Sequence, residues 1–248
     1  RFYRDRLMEA FLPDKDKTNG GMSNAAEVGY LHEMADPARS KGPYHLINTH
    51  LITTNVEHLD EPIRNRLKLR GGDNFVLAPL HCGATATGWQ RTVDYAPKLS
   101  LATAMAISGA AANPNAGVGG MGVTRSRSVA LVMALLNVRL GYWLPNPASD
   151  SRFVPRYCNH FSPGLGAAFA EFAPKPDTKR RWIQLSDGGH FENLGIYELV
   201  RRRCRYIIAS DAGCDPRYTF EDLGNAIRKC QIDLGIEISI DPASIIPD

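Results

Sequence analysis

The residues best suited to chemistry lie in "IQLSDGGHFENLG" (183–195), where an apolar run stops at Ser186-Asp187 and two glycines follow. A carboxylate on such a bend gains nothing by packing. It can accept or orient a proton, or simply bond the N–H groups of its own turn; the residues alone leave both open. Gly188 and Gly189 are expected to supply positive φ for a sharp turn, and Asn193 to cap the helix that follows. A second constellation is Asp187, His190, Glu192, Asp211 and Asp215, near two neighbouring strand ends. Carboxylate-plus-imidazole sets of this kind bind Mn²⁺, Fe²⁺ or Zn²⁺, but no His-Glu-x-x-His or His-x-His pairing supports this one. No Gly-x-Ser-x-Gly elbow occurs in the 248 residues. The nearest approach is Ser108 in "AISGA", which has alanine at the first glycine position. It sits in an alanine-rich helix rather than at the strand-to-helix bend that exposes a nucleophile.

Other residue pairs carry less. "GVGGMG" (117–122) satisfies a dinucleotide-type glycine pattern but follows no strand, so it reads as a loop. His45 and His50 would face opposite sides of one strand, and His81-Cys82 would point apart. Both pairs, like the three tryptophans, read as structural.

The elements that must hold these residues alternate. Helical spacing runs over 3–12 and 25–35, strands are expected at 43–54 and 74–83 (broken by Pro79), and a helix is expected at 99–112. A glycine-rich loop and a helix at 126–140 follow, then an irregular, proline-bearing insertion at about 144–180. Beyond it the pattern predicts strand "RWIQLS", helix "ENLGIYELVRRR", strand "CRYIIASDAG", a helix capped by Thr219, and strand "IEISI". Alternation of this kind predicts a single α/β domain over 1–248, with a mainly parallel central sheet flanked by helices. Sites in such sheets form beyond the carboxyl ends of strands, where Asp187 would stand.

Composition is that of a soluble globular protein: 44% hydrophobic, 22% charged, net charge +3. The basic residues are scattered apart from 179–181 and 201–203, which speaks against a nucleic-acid partner. Five widely spaced cysteines without a CxxC pair suit a reducing compartment. The longest apolar stretch, 129–138, is too short to span a membrane. With Tyr142 and Trp143 at its end, it is either a core helix or one that meets a membrane surface. The chain opens on Arg1, and the expectation is that it forms part of a longer polypeptide.

"SDGGHFENLGIYEL" is similar to the Asp-Gly-Gly motif of patatin-like phospholipases and of the related cytosolic phospholipase A2 catalytic domain. "LATAMAISGAAANP", "PYHLINTHL", "FVLAPLHCGATATGW" and "YIIASDAGCDPRYTFEDLGNAIRK" also resemble larger bacterial members, so the likeness runs along most of the chain. It implies a three-layer patatin-like fold, incomplete at its N-terminus. It also implies a serine acyl hydrolase acting on lipid or phospholipid esters without a cofactor or metal. Asp187 would be the proton acceptor of a Ser–Asp dyad, with Asn193 six residues on. The family's nucleophile lies N-terminal to everything matched here, which implies a serine upstream of Arg1, with Ser108 as the alternative. Location would be cytoplasmic, or membrane-associated through segments outside the chain. Two further readings stand beside this one: a metal-dependent hydrolase using Asp187, His190 and Asp211, and a non-catalytic α/β module for binding or assembly.

Overall fold

The computed structural model describes residues 29–37, 42–53, 72–109, 142–149 and 182–241, with Arg4 and residues 61, 62, 64 and 65 besides. Among the described residues six strands are formed: β1 (Ile47–Leu51), β2 (Asp73–Leu77), β3 (His81–Ala84), β4 (Gly88–Arg91), β5 (Tyr142–Pro145) and β6 (Trp182–Asp187). The helices are α1 (Thr92–Tyr95), α2 (Leu101–Ser108), α3 (Ile196–Arg201) and α4 (Glu221–Leu234), with 3-10 turns at Leu31–Ala35 and Gly188–His190.

The strands make one sheet in the order β4-β3-β2-β1-β6-β5, and every neighbouring pair is antiparallel. The expected parallel sheet flanked by helices in three layers is therefore overturned: the sheet is all-antiparallel and curled, with few helices among the described residues. The connections supply the reason. Residues 78–80 and 85–87 join β2 to β3 and β3 to β4 as tight links, which only antiparallel neighbours allow. Pro79, which has no N–H to give a ladder, falls in the first of these links.

The end of the chain departs furthest from expectation. Neither "CRYIIASDAG" nor "IEISI" forms a strand; residues 204–213 and 235–241 are irregular. No β-α-β crossover is completed there, so alternation carried no information about strand direction. The helix expected at 25–35 is, over its described part, the short Leu31–Ala35 turn. Tyr142 and Trp143 lie in β5, paired with Leu185 and Gln184. The expected helices at 3–12 (apart from Arg4) and 126–140, the 117–122 loop and most of the 144–180 insertion lie outside the described residues.

Alternation along the strands sorts the sheet into two unlike faces. Leu51, Phe75, Leu77, Cys82, Leu144, Ile183 and Leu185 share the apolar face. Ala104 and Ile107 of α2 and Leu99 before it close that core. The Ser100 hydroxyl accepts from Thr103 N and starts α2. The opposite face carries Asn48, His50, Asn74, Gln184 and Ser186, and all but Asn48 are buried. It looks toward α3, whose Glu198 carboxylate accepts from Asn74 Nδ2 at 3.5 Å. A second apolar cluster, Phe191, Tyr197 and Cys230, ties α3 to α4.

Candidate functional site

β6 ends on Asp187, and the chain turns at once through Gly188–His190. Asp187 caps this turn: its Oδ1 accepts from Gly189 N at 2.7 Å. Oδ2 accepts no hydrogen bond among the described residues. One carboxylate oxygen is thus anchored to the turn and the other is uncommitted among the described residues.

Both glycines stand in crowded positions, which is a different feature from the one expected. Neither has positive φ. A Cβ on Gly188 would stand 2.4 Å from the Asn48 carbonyl oxygen, and one on Gly189 would stand 2.7 Å from Asn193 Oδ1. The pair lets the turn press against β1 on one side and Asn193 on the other. The residue that does adopt positive φ nearby is Gly195, the N-cap of α3.

Asn193 does not cap α3. Its Nδ2 donates to Asp222 Oδ2 at 2.8 Å, which links the turn to the first turn of α4. Glu192 covers the start of α3 instead: its buried carboxylate accepts from Leu194 N and, at 3.0 Å, from Tyr197 N. Thr219 does not cap α4 either. That position belongs to Phe220, while Thr219 Oγ1 donates to Asp215 Oδ1 at 3.1 Å.

A cleft of about 490 Å³ opens at the turn. Asp187, Gly188 and Gly189 form one part of its wall, Leu46, Ile47 and Asn48 a second, and Met105 with Ser108 a third. Its size falls within the ordinary range for small-molecule sites, roughly 300–1,000 Å³. Ser108 therefore shares the cleft with Asp187, but the two are not hydrogen-bonded to each other. The Ser108 hydroxyl donates to the Asn48 carbonyl oxygen at 2.7 Å. In this arrangement Ser108 pins the end of α2 to β1 behind Gly188.

Asn48 is the site residue that the sequence did not reveal. Its carbonyl receives Ser108 and packs on Gly188, and its Oδ1 accepts from Asn74 Nδ2 at 3.2 Å. No local spacing marks it, because its partners are remote along the chain.

The carboxylates proposed for a metal are dispersed among other tasks. Glu192 is spent on α3. Asp211 is exposed and accepts from Gly213 N. Asp215 accepts from Phe220 N, and the backbone bonds around it hold its carboxyl below the usual range. Among the described residues no three His, Cys, Asp or Glu side chains converge on a common point.

His190 points to the polar face, its Nδ1 3.2 Å from Ser186 Oγ. Burial lowers its pKa, partly opposed by the negative charge of Asp187. His50 stands edge-on to it with ring centroids 6.1 Å apart. Burial, with His190 and Lys229 nearby, lowers the His50 pKa to about 3. His81 is exposed, while the Cys82 thiol is buried beside Thr92 and Ala78, and burial raises its pKa. That is a packed cysteine and not an activated one. The described cysteines are all free, and no described helix is long and apolar enough to cross a membrane.

No family model, curated protein or solved structure matches the chain.

Proposed function

We propose that the protein is an acyl-ester hydrolase in which Asp187 is the proton acceptor. The observation that carries this reading is the half-committed carboxylate: Oδ1 is fixed by Gly189 N and Oδ2 accepts no hydrogen bond among the described residues, in the wall of a cleft. A general base needs that combination of fixed position and open lone pairs. Leu46, Ile47, Met105 and Leu194 give the cleft apolar flanks suited to an acyl chain, which favours lipid or phospholipid esters. Asp187 takes the proton of an attacking serine hydroxyl and later helps water release the acyl group. That serine comes from outside these residues, as the similarity to the Asp-Gly-Gly family implies, since the Ser108 proton is already given to Asn48. The second reading makes Ser108 the nucleophile; its place in the same cleft favours it, and it would have to break that bond first.

Hydrolysis of a series of acyl esters by the longest natural form of the polypeptide tests the assignment. Asp187→Asn lowers the rate by about 10²–10⁴, the usual contribution of a general base, whereas Ser108→Ala leaves it within a few-fold. Equal rates for wild type and Asp187→Asn exclude the base. A loss in Ser108→Ala as deep as in Asp187→Asn moves the nucleophile to Ser108.

A further inference from the structure

Residues 205–211, "RYIIASD", have the composition of a strand and lie outside the sheet. Tyr206 is 81% and Ile208 95% exposed, the most exposed large apolar residues described. From Arg205 to Ser210 no backbone group makes a hydrogen bond among the described residues. A β-branched, aromatic run with unpaired backbone groups is a template for another strand.

Its own sequence specifies the partner. If the segment pairs antiparallel with itself about Ile208, Arg205 of one copy falls opposite Asp211 of the other, and the same pair recurs at the far end. Tyr206 then faces Ser210, Ile207 faces Ala209, and Ile208 faces its twin. Alternation puts Tyr206 and Ile208 of both copies on one face, where diagonal neighbours touch. The charges oppose correctly in this register and the two-fold axis makes the contact isologous. Arg205 and Asp211 are both exposed; the Arg205 guanidinium lies over the Tyr206 ring, 5.3 Å from its centroid, and Asp211 Oδ1 accepts from Gly213 N, with no other hydrogen bond to Asp211 among the described residues. A seven-residue ladder spans about 23 Å.

We propose that residues 205–211 form an interface with a second copy of this chain, as a two-stranded antiparallel ribbon closed by reciprocal Arg205–Asp211 pairs. The proposal is independent of the chemistry at Asp187.

Sedimentation equilibrium of the purified full-length protein tests it by charge exchange. Wild type shows a concentration-dependent dimer. Arg205→Asp sets four carboxylates at the seam, Asp211→Arg sets four guanidinium groups there, and each weakens the dimer about tenfold or more. Mixing the two variants restores association as a one-to-one heterodimer, because each end of the seam then holds one carboxylate opposite one guanidinium. Ile208→Lys, at a fully exposed position, disperses the dimer with an unchanged circular dichroism spectrum. A monomeric wild type overturns the proposal. So does a dimer that survives both single charge reversals, or variants that fail to associate when mixed.

Discussion

At the scale of single residues, the Asp-Gly-Gly turn forms where the sequence places it, but for a different reason from the one expected. Two adjacent glycines after a carboxylate signal a special backbone, and positive φ is the common cause. Here the cause is crowding, which at Gly188 depends on Asn48, far away in sequence, where no local pattern encodes it. The two glycines differ in what crowds them, and this difference is measurable. The atom facing Gly188 is a backbone carbonyl oxygen of β1, which cannot withdraw without disturbing the sheet. Gly188→Ala should therefore cost about 1–3 kcal/mol in urea denaturation, the range for forced overpacking. The atom facing Gly189 is the tip of the Asn193 side chain, which can swing away. Gly189→Ala should cost less than about 1 kcal/mol. It should still lower ester hydrolysis, because the Asp187 oxygen lies 3.1 Å from the added carbon. Equal stability losses for the two variants would show that crowding against β1 is not what requires Gly188.

At the scale of elements, β1, β6 and α2 were legible because their apolar spacing and flanking breakers agree with where they are buried. Pro79 and the turn after Asp187 each mark a boundary that formed. β4 was missed: "GWQR" is short, mostly exposed and has no apolar alternation to read. Strand direction was illegible for a deeper reason. Periodicity reports which face of a strand is buried and says nothing of its neighbour. The start of α3 makes the same point, since its acceptor is neither Asn193 nor the N-cap residue but Glu192, three residues before the N-cap. That carboxylate satisfies one fully buried N–H and one partly buried N–H. Glu192→Ala should cost about 2 kcal/mol, because donors that are buried and unmet bear the desolvation penalty. Amide exchange at Tyr197 should accelerate in step with the fall in stability. Unchanged protection there would mean that α3 is held by its packing against α4 alone, through the Phe191, Tyr197 and Cys230 cluster.

At the scale of the whole molecule, the polar face of the sheet couples folding to pH. His50 is buried on that face, its Nδ1 without a hydrogen-bond partner among the described residues. It faces His190 beyond the end of β6 and Lys229 on α4, and both oppose a second positive charge. Its pKa of about 3 in the folded protein compares with about 6.5 in an unfolded chain. Between those values the unfolded state holds a proton that the folded state refuses, so stability falls as pH falls. The contribution is complete above the unfolded value and is lost progressively below it, with a slope approaching 1.4 kcal/mol per pH unit for one such group. From neutral pH to pH 5 the loss from His50 is about 2 kcal/mol. His190, also lowered by burial, acts in the same direction. Urea denaturation from pH 7.5 to 5 should show this decline, and His50→Gln should flatten it while leaving the Asp187 cleft wall in place, because residue 50 and Asp187 lie on opposite faces of the sheet. Parallel declines in wild type and His50→Gln would place the acid sensitivity elsewhere. A flattened curve would locate it on the polar face of the sheet, where His50 meets the charges of His190 and Lys229.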